Sequence, residues 1–392
     1  MIKITNKEDC CGCAACEQSC PKHCISLIED AEGFWYPQID VTTCIECGLC
    51  KKVCPMLNNK DEKLPIRALV AYNESEEIRL ASSSGGIFTL CAKKVINAGG
   101  VVFGAVFDEH FGVRHDYVET IKELSLFQGS KYVQSRIEDN YYKVKQFLNE
   151  KRLVLFSGTP CQIKGLKNYL QKDYSNLFTI DFICHGVPSP TVWQYYLKQT
   201  SETLINHFAN PTIKSINFRD KSNGWRNYHF TISFKLLNNE IINLSSPFYK
   251  NTYMNLFLND IILRPSCYAC KFKGGRSNSD LTIADCWGIK QLASEMDDDK
   301  GISLVMINTN TGNNLMQEIG TIKKKEINVI DAVSSNLSWR NVAHYHELRR
   351  LFFNKYKKKN LSSYTQYLLK PSILIRIIRK CYRICGIKQI PI

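Results

Sequence analysis

Cysteine spacing is the feature that most constrains this chain of 392 residues. The first run of cysteines, C-x2-C-x2-C-x3-C-P, comprises Cys10, Cys13, Cys16, Cys20 and then Pro21. The same pattern returns further along, at Cys44, Cys47, Cys50, Cys54 and Pro55. A doubled run of this kind is the ligand pattern of modules that hold two 4Fe-4S clusters, in which the fourth cysteine of each run binds the other cluster.

The pattern predicts two ligand sets that exchange their last members. The first set is Cys10, Cys13, Cys16 and Cys54. The second set is Cys44, Cys47, Cys50 and Cys20. Gly12 and Gly48 allow the tight loops that such wrapping requires. Zinc modules usually pair two C-x2-C knuckles across a longer gap, so the spacing favours clusters over zinc. We therefore expect residues 1–60 to form an α+β ferredoxin-like two-cluster module, with Cys11 and Cys24 as packed or solvent-facing spares.

The N-terminus lacks the basic and apolar regions of a signal peptide, and the sequence has no uninterrupted apolar run of spanning length. The expected location is the cytoplasm, where clustered cysteine is more often metal-binding or catalytic than disulfide-bonded. The net charge is +14, but residues 340–392 contribute +12 of it, with 13 Lys or Arg against Glu347. The body of the protein is nearly neutral, so the charge does not predict a nucleic-acid partner.

A polar segment around residues 58–65 reads as a linker, and the chain beyond it alternates short apolar runs with helical patterns. Strands are predicted at "IRALVAY", "VVFGAVF", "RLVLFS" and "LFTIDFIC", and helices at "GGIFTLCAKKVINAG", "DNYYKVKQFLNE" and "QIKGLKNYL". This order indicates an α/β domain with a mixed sheet, divided into residues 66–150 and 151–330. Three later runs, "SINFRD", "HFTISFKL" and "EIINLSS", predict an appended meander.

Four more cysteines fall at strand ends and in a knuckle of this domain: Cys161, Cys184, Cys267 and Cys270. They are expected to hold a third 4Fe-4S cluster, with Cys286 as a fifth candidate ligand. Two alternatives remain open. Cys161 at a helix N-terminus would suit a low-pKa nucleophile with His185 as its base, and buried cysteines also serve simply as small packed residues.

The ordered set of segments resembles the coenzyme F420 hydrogenase/dehydrogenase beta-subunit family over about residues 1–310. The segments are "SSSGGIFT", "GSKYVQS", "FSGTPCQIKGL", "DFICHGVPSP", "INFRDKSNGW", "LRPSCYACKFK" and "IADCWGI". The resemblance implies FAD in the α/β domain and clusters that connect it to a redox partner. Bacterial relatives with the fused ferredoxin module often accompany polysaccharide biosynthesis enzymes. Ala284 and Cys286 stand where relatives usually have glycine and an aromatic residue, and the family name does not establish coenzyme F420 as the donor.

Two loops are candidates for the flavin site that the resemblance implies. Residues 82–86, containing Ser83, Ser84, Gly85 and Gly86, form a small-residue loop entering a helix, which suits a phosphate; the alternative is an ordinary helix cap. Gly129, Ser130 and Lys131 are predicted to place a cation near the flavin ring, unless they form a turn with a surface lysine. His185 is a candidate proton donor beside Cys184, and the alternative is a hydrogen-bonded structural histidine.

The sequence ends in a predicted helical basic tail over residues 340–392, in which "SILIRIIRKCYRICGIKQ" separates its charged and apolar residues onto opposite faces. Such a helix suits an anionic membrane surface, a partner, or its own domain. The sequence therefore predicts a cytoplasmic iron–sulfur flavoprotein oxidoreductase, peripheral at the membrane if the tail binds it, which acts with a redox protein or small-molecule donor. A reducing step in polysaccharide biosynthesis is one expected setting. The alternatives are an electron-carrier scaffold without flavin and a thiol enzyme using Cys161.

Overall fold

The protein is described here by a computed structural model that covers residues 1–59, 62–208, 210–320 and 322–370. The described strands form a hairpin, a large sheet and a three-stranded meander. Their bounds are β1 Ile25–Glu29, β2 Trp35–Ile39, β3 Arg67–Asn73, β4 Val101–Phe107, β5 Val113–Val118, β6 Val154–Ser157, β7 Leu177–Phe182, β8 Thr212–Asp220, β9 His229–Lys235, β10 Ile241–Pro247, β11 Leu281–Asp285, β12 Ser303–Ile307 and β13 Ile322–Ile327.

The helices vary from single turns to the long α7. Their bounds are α1 Ala15–Gln18, α2 Leu49–Val53, α3 Glu76–Ala81, α4 Ile87–Asn97, α5 Asn140–Asn149, α6 Pro160–Leu170, α7 Pro190–Ile205, α8 Thr252–Leu258, α9 Pro265–Tyr268, α10 Ile289–Leu292, α11 Asn310–Glu318, α12 Val329–Ser334, α13 Arg349–Lys355 and α14 Leu361–Leu369. The predicted helices at "GGIFTLCAKKVINAG", "DNYYKVKQFLNE" and "QIKGLKNYL" correspond to α4, α5 and α6.

The centre of the molecule is an eight-stranded sheet with the order β13-β3-β12-β11-β7-β6-β4-β5. Its middle strands, β4, β6, β7 and β11, run parallel, whereas β5, β12, β3 and β13 join by antiparallel pairing. The prediction of a mixed sheet is confirmed. The parallel strands share one carboxyl edge. Cys161, in the first turn of the helix after β6, and Cys184, in the loop after β7, both follow this edge.

The N-terminal module consists of the β1–β2 hairpin and the short helices α1 and α2, which pack against each other and against α6. Cysteines and aliphatic residues of the module share one buried core with residues of β4, α5 and α6. Gly165 in α6 is required for this packing, because a Cβ atom there would lie 2.9 Å from the Cβ atom of Cys13. The module therefore lies directly against the large sheet's helical layer.

The three predicted meander runs correspond to β8, β9 and β10, which form an antiparallel sheet with β9 in the middle. Its inner face packs on α7 and α8 through an aromatic core that includes Trp193, Phe218 and Tyr253. The same core receives residues 340–370, where Phe352 and Tyr356 are fully buried. The described part of the predicted tail is therefore docked on the protein body.

The amphipathic segment predicted from Ser372 onward lies outside the described residues. Among the helices that the structure describes, none is long and apolar enough to cross a membrane.

Candidate functional site

The two cysteine runs line two separate cavities of the N-terminal module. The cysteines that line the first cavity are Cys10, Cys11, Cys13, Cys16 and Cys54. Those that line the second cavity are Cys20, Cys24, Cys44, Cys47 and Cys50. The structure thus brings together the members of each expected ligand set, including the exchanged fourth cysteines, and it adds one spare cysteine to each cavity.

Corresponding positions in the two cysteine runs have the same left-handed backbone conformation, with positive φ. Gly12 and Glu46 precede the second cysteine of each run with φ of 68° and 52°, and Ala14 and Gly48 follow it with φ of 62° and 76°. Left-handed residues turn the chain sharply, which lets three thiols spaced two residues apart face one cavity. These angles agree with the tight loops expected at Gly12 and Gly48. The corresponding residues of the other run are Glu46 and Ala14, so the conformation does not require glycine.

The chemistry of both cavities is that of free thiols in apolar surroundings. Cys16 illustrates it: burial and the neighbouring sulfurs of Cys10 and Cys54 raise the pKa of its thiol. Thiols that ligate metals are deprotonated, and deprotonating a thiol with a raised pKa costs free energy. A metal centre bound here would therefore need a strong positive charge to offset that cost. Within the described residues, no three Cys, His, Asp or Glu side chains close around a single metal ion. The cysteines of each set line one cavity, an arrangement that fits the ligand set of an iron–sulfur cluster.

A third group of cysteines forms where α6, β7 and α9 meet. Cys161 is the second residue of α6, Cys184 lies just after β7, and Cys267 and Cys270 lie in and after α9. The Cys184 thiol is influenced by the charges of the other three, which marks the four as neighbours. Cys286 packs elsewhere, in a core that also contains Trp225 and Met296. The structure brings together the four expected residues without the fifth candidate.

The thiol-enzyme alternative finds little support in this geometry. A hydrogen bond with Cys11, followed by burial, raises the pKa of the Cys161 thiol, whereas an activated nucleophile needs a lowered pKa. His185, its expected base, instead places Nε2 2.6 Å from Oδ1 of Asp260 and packs edge-on against Phe257. Asp260 therefore holds this histidine by a hydrogen bond, the arrangement that the structural alternative describes.

The two predicted flavin loops meet each other. Ser83 accepts hydrogen bonds from the backbone N–H of Ser130 at 2.7 Å and from its hydroxyl at 2.9 Å. Gly86 caps α4 with φ of 78°, so the first loop does enter a helix. The amide of Gly85, however, donates to Oγ of Ser303 at 3.0 Å. A Cβ atom on Gly85 would also lie 2.6 Å from the carbonyl oxygen of Ala71. The amide of Gly85 is therefore already bonded within the protein, and Gly85 serves close packing on the sheet. The phosphate-binding role of the loop stays a prediction.

Lys131 is half-buried beside this junction. Its Nζ atom donates to the carbonyls of Gln128 and Gly129 at 3.3 Å and lies 5.5 Å from the centre of the Phe107 ring. Burial lowers the pKa of Lys131 to about 8. The expected turn is present, but its lysine is drawn inward and is not a free surface charge.

Polar residues that the sequence interpretation did not single out complete the same region. The buried Arg219 forms two hydrogen bonds to Asp285, at 3.1 and 3.2 Å, and its Nη1 atom lies 3.4 Å from the hydroxyl of Tyr132. Lys221 donates to the carbonyl of Ser84 at 3.1 Å. Arg219 and Lys221, both in or directly after β8, therefore connect the loop that contains Ser84 to Tyr132, the residue after Lys131. The sequence does contain a signal for these residues, because they lie in two of the segments that carry the family resemblance. Arg219 and Lys221 lie in "INFRDKSNGW", and Asp285 lies in "IADCWGI".

Two tryptophans border the Arg219–Asp285 pair. Trp225 donates its indole N–H to Asp285 at 2.9 Å and stacks on Trp287, with ring centres 4.8 Å apart and an interplanar angle of 4°. Trp287 is 48% exposed, and the Arg219 guanidinium lies 5.2 Å from its ring centre. The site thus presents a flat aromatic surface beside a buried cation, a combination suited to stacking of a planar ring.

A protein of Porphyra purpurea, described as an uncharacterized protein in the rpl9-rpl11 intergenic region, is 41% identical over 51 residues. The match spans 12% of this chain and 67% of that protein. A solved structure of the xenon-derivatized F420-reducing NiFe hydrogenase complex from Methanosarcina barkeri is similar to this chain, with a TM-score of 0.41 and 15% sequence identity. That match covers 67% of this chain and 83% of the other. Residues 151–333 match the family model for the C terminus of the coenzyme F420 hydrogenase/dehydrogenase beta subunit, and the chain belongs to this beta-subunit family.

Proposed function

We propose that this chain is an iron–sulfur flavoprotein oxidoreductase that moves electrons between a hydride donor and 4Fe-4S clusters. The observation that carries the proposal is the exchange of the fourth cysteines. Cys54 joins the cavity of the first run and Cys20 that of the second. This exchange is the arrangement of two-cluster ferredoxin modules, and membership of a hydrogenase/dehydrogenase family supports a redox role.

The third cysteine group extends the proposal from the N-terminal module into the family domain. It would hold a cluster between the module and the sheet through Cys161, Cys184, Cys267 and Cys270. The start of α6 supports one side of this group, since Thr159 and Gln162 form a capping box there. Lys273 donates to the carbonyl of Cys184, which ties the loop after β7 to the loop after α9. These contacts hold the thiols in place from three elements.

A flavin, FAD by family resemblance, fits the region between Ser83, Ser130, Lys131 and Arg219. When bound, a flavin accepts a hydride as an electron pair and releases electrons singly. Lys131 and Arg219 would provide positive charge for a reduced, anionic ring, and Ser83 and Ser130 would position its neighbouring groups. Coenzyme F420 is one candidate hydride donor, and the exposed face of Trp287 would offer it or another planar donor a stacking surface.

A second candidate, an electron-carrier subunit without flavin, is favoured by one observation. The amide of Gly85 and the hydroxyl of Ser84 are already bonded within the protein, to Ser303 and to the carbonyl of Ile302. Fewer donors are therefore left for a cofactor phosphate. Such a subunit would carry electrons between the N-terminal module and a redox partner protein.

Iron, sulfide and flavin content of anaerobically purified protein tests the proposal. About twelve irons and one flavin per chain are expected for three clusters and one flavin. About eight irons without flavin would favour the carrier alternative, and absence of iron would contradict both. A Cys54→Ser variant is expected to lose about a third of the iron. A Cys286→Ser variant, which changes a buried cysteine outside all three groups, serves as the matched control and should retain the iron.

A further inference from the structure

Arg264 is a fully buried arginine that lies among cysteines. Its Nε atom donates to the carbonyl of Cys10 at 2.8 Å, and Nη2 donates to the carbonyl of Trp35 at 2.8 Å and lies 3.6 Å from the Cys10 sulfur. Nη1 donates to Gln134 Oε1 at 3.0 Å. Across the described ranges Arg264 forms no ion pair with a carboxylate. A buried charge is costly unless an opposite charge compensates it. The groups around this one are the Cys10 thiol and the rings of Tyr36 and Phe34, whose centres lie 4.4 and 5.5 Å from the guanidinium.

The same residue also belongs to the third cysteine group. Arg264 is the residue before α9, and its carbonyl accepts a hydrogen bond from the amide of Cys267 at 2.9 Å. Its guanidinium charge acts on Cys267 and on Cys161 as well as on Cys10. One arginine therefore contacts the first set with its side chain and the third group with its backbone.

A second contact links the two groups through α6. Cys161 and Gly165 lie four residues apart, about one helical turn, and a Cβ atom on Gly165 would be 3.0 Å from the Cys13 sulfur. The buried thiol of Cys11 lies close enough to Cys13 and Cys161 that both affect its pKa, which the interaction with Cys13 and burial raise. The first set and the third group are thus direct neighbours, with Arg264 beside them.

We propose that Arg264 sets the reduction potential of the cluster held by the first set, at its junction with the third group. The inference rests on the proposed function, because it requires clusters at these cysteines. Reduction adds one electron and no bond is formed or broken, so the reduced state carries more negative charge. A guanidinium beside the Cys10 sulfur stabilises that state, and hydrogen bonds to ligand sulfurs and local charge are known determinants of cluster potentials. Arg264 would act on the cluster through the Cys10 sulfur, so it is a positioning residue and not a catalytic one.

The test is a redox titration of anaerobically purified, full-length variants, followed by electron paramagnetic resonance. Arg264→Gln removes the charge. At a fixed ambient potential, it is expected to lower the reduced-to-oxidised ratio of one cluster at least tenfold. A tenfold change in this ratio corresponds to 59 mV for a one-electron couple. Arg264→Lys keeps the charge and should shift the ratio less. Arg79→Gln is the matched control, because Arg79 is also buried but pairs with Asp298, and the ratio measured for this variant should stay unchanged.

Iron is measured on every sample first, so that the two failures are distinguished. Wild-type protein without iron would overturn the proposed function and this inference together. Iron-loaded Arg264→Gln with an unshifted ratio would overturn the inference alone. Wild-type protein grown on ¹⁵N-arginine provides a measurement that does not depend on the variant folding. Pulsed resonance of its reduced clusters should detect coupling to an arginine nitrogen, and absence of that coupling would also overturn the inference.

Discussion

The loop of the first cysteine run should be far less tolerant of a methyl group than the loop of the second. Gly12 and Gly48 both have positive φ, at 68° and 76°. A Cβ atom on Gly12 would lie 2.8 Å from Nη1 of Arg264 and from Nε2 of Gln134, whereas one on Gly48 would meet nothing within 4 Å. The contacted atoms end long side chains, but Arg264 is fully buried, Gln134 is nearly so, and the two are bonded to each other.

The expected costs follow from two effects. A left-handed backbone disfavours alanine by about 1–2 kcal/mol relative to glycine at either position. Overpacking adds about 1–3 kcal/mol at Gly12 alone. Gly12→Ala should therefore lower the free energy of unfolding by about 2–5 kcal/mol and Gly48→Ala by about 1–2 kcal/mol.

Urea unfolding of both variants under anaerobic conditions, followed by circular dichroism, measures the difference. Ala14, which occupies the place of Gly48 in the first run with φ of 62°, supports the smaller cost expected for Gly48→Ala. Equal losses in the two variants would refute the close packing of Arg264 against the first loop.

Three further predictions concern buried groups. Burial lowers the pKa of His115 from 6.5 to about 4. The unfolded state therefore binds the proton first, and the contribution of His115 to the free energy of unfolding should fall by about 3 kcal/mol between pH 6.5 and pH 4. Urea unfolding at pH 7 and pH 4 should show that His115→Gln loses less stability on acidification than the wild type, by about this amount. Since the pKa of Lys131 is lowered to about 8, flavin affinity measured by fluorescence quenching should weaken between pH 7 and pH 9, and Lys131→Met should abolish that dependence. Gly165→Ala should reduce iron content by crowding Cys13, unlike Gly99→Ala, which meets nothing within 4 Å.

The sequence was most informative where a local pattern and a local structure coincide. The run "VVFGAVF" corresponds to β4 residue for residue, and the cysteine spacing anticipated which thiols share each cavity. Strand β13 was not among the predicted strands. The edge strand β13 reads "IKKKEI", which is a poor strand sequence by composition, and it forms because β3, some 250 residues earlier, supplies its hydrogen-bonding partner.

Long-range assembly also explains what was missed at the site. Arg264 is a single charge between "IIL" and a proline, and no periodicity marks it as buried. Its surroundings come from the N-terminal module, through Cys10 and Trp35. Arg219 and Asp285 lie 66 residues apart and pair only because β8 and β11 bring them together. Their segments could be recognised, but the pairing itself required the tertiary structure.

Photoreduction of the bound flavin in anaerobic protein, with visible absorbance recorded for flavin and clusters, tests whether electrons pass between the two. Electrons placed on the flavin should bleach the cluster absorbance at a rate that does not change when the protein is diluted, because transfer occurs within one chain. Flavin that becomes fully reduced while the clusters stay oxidised would refute the proposed electron path.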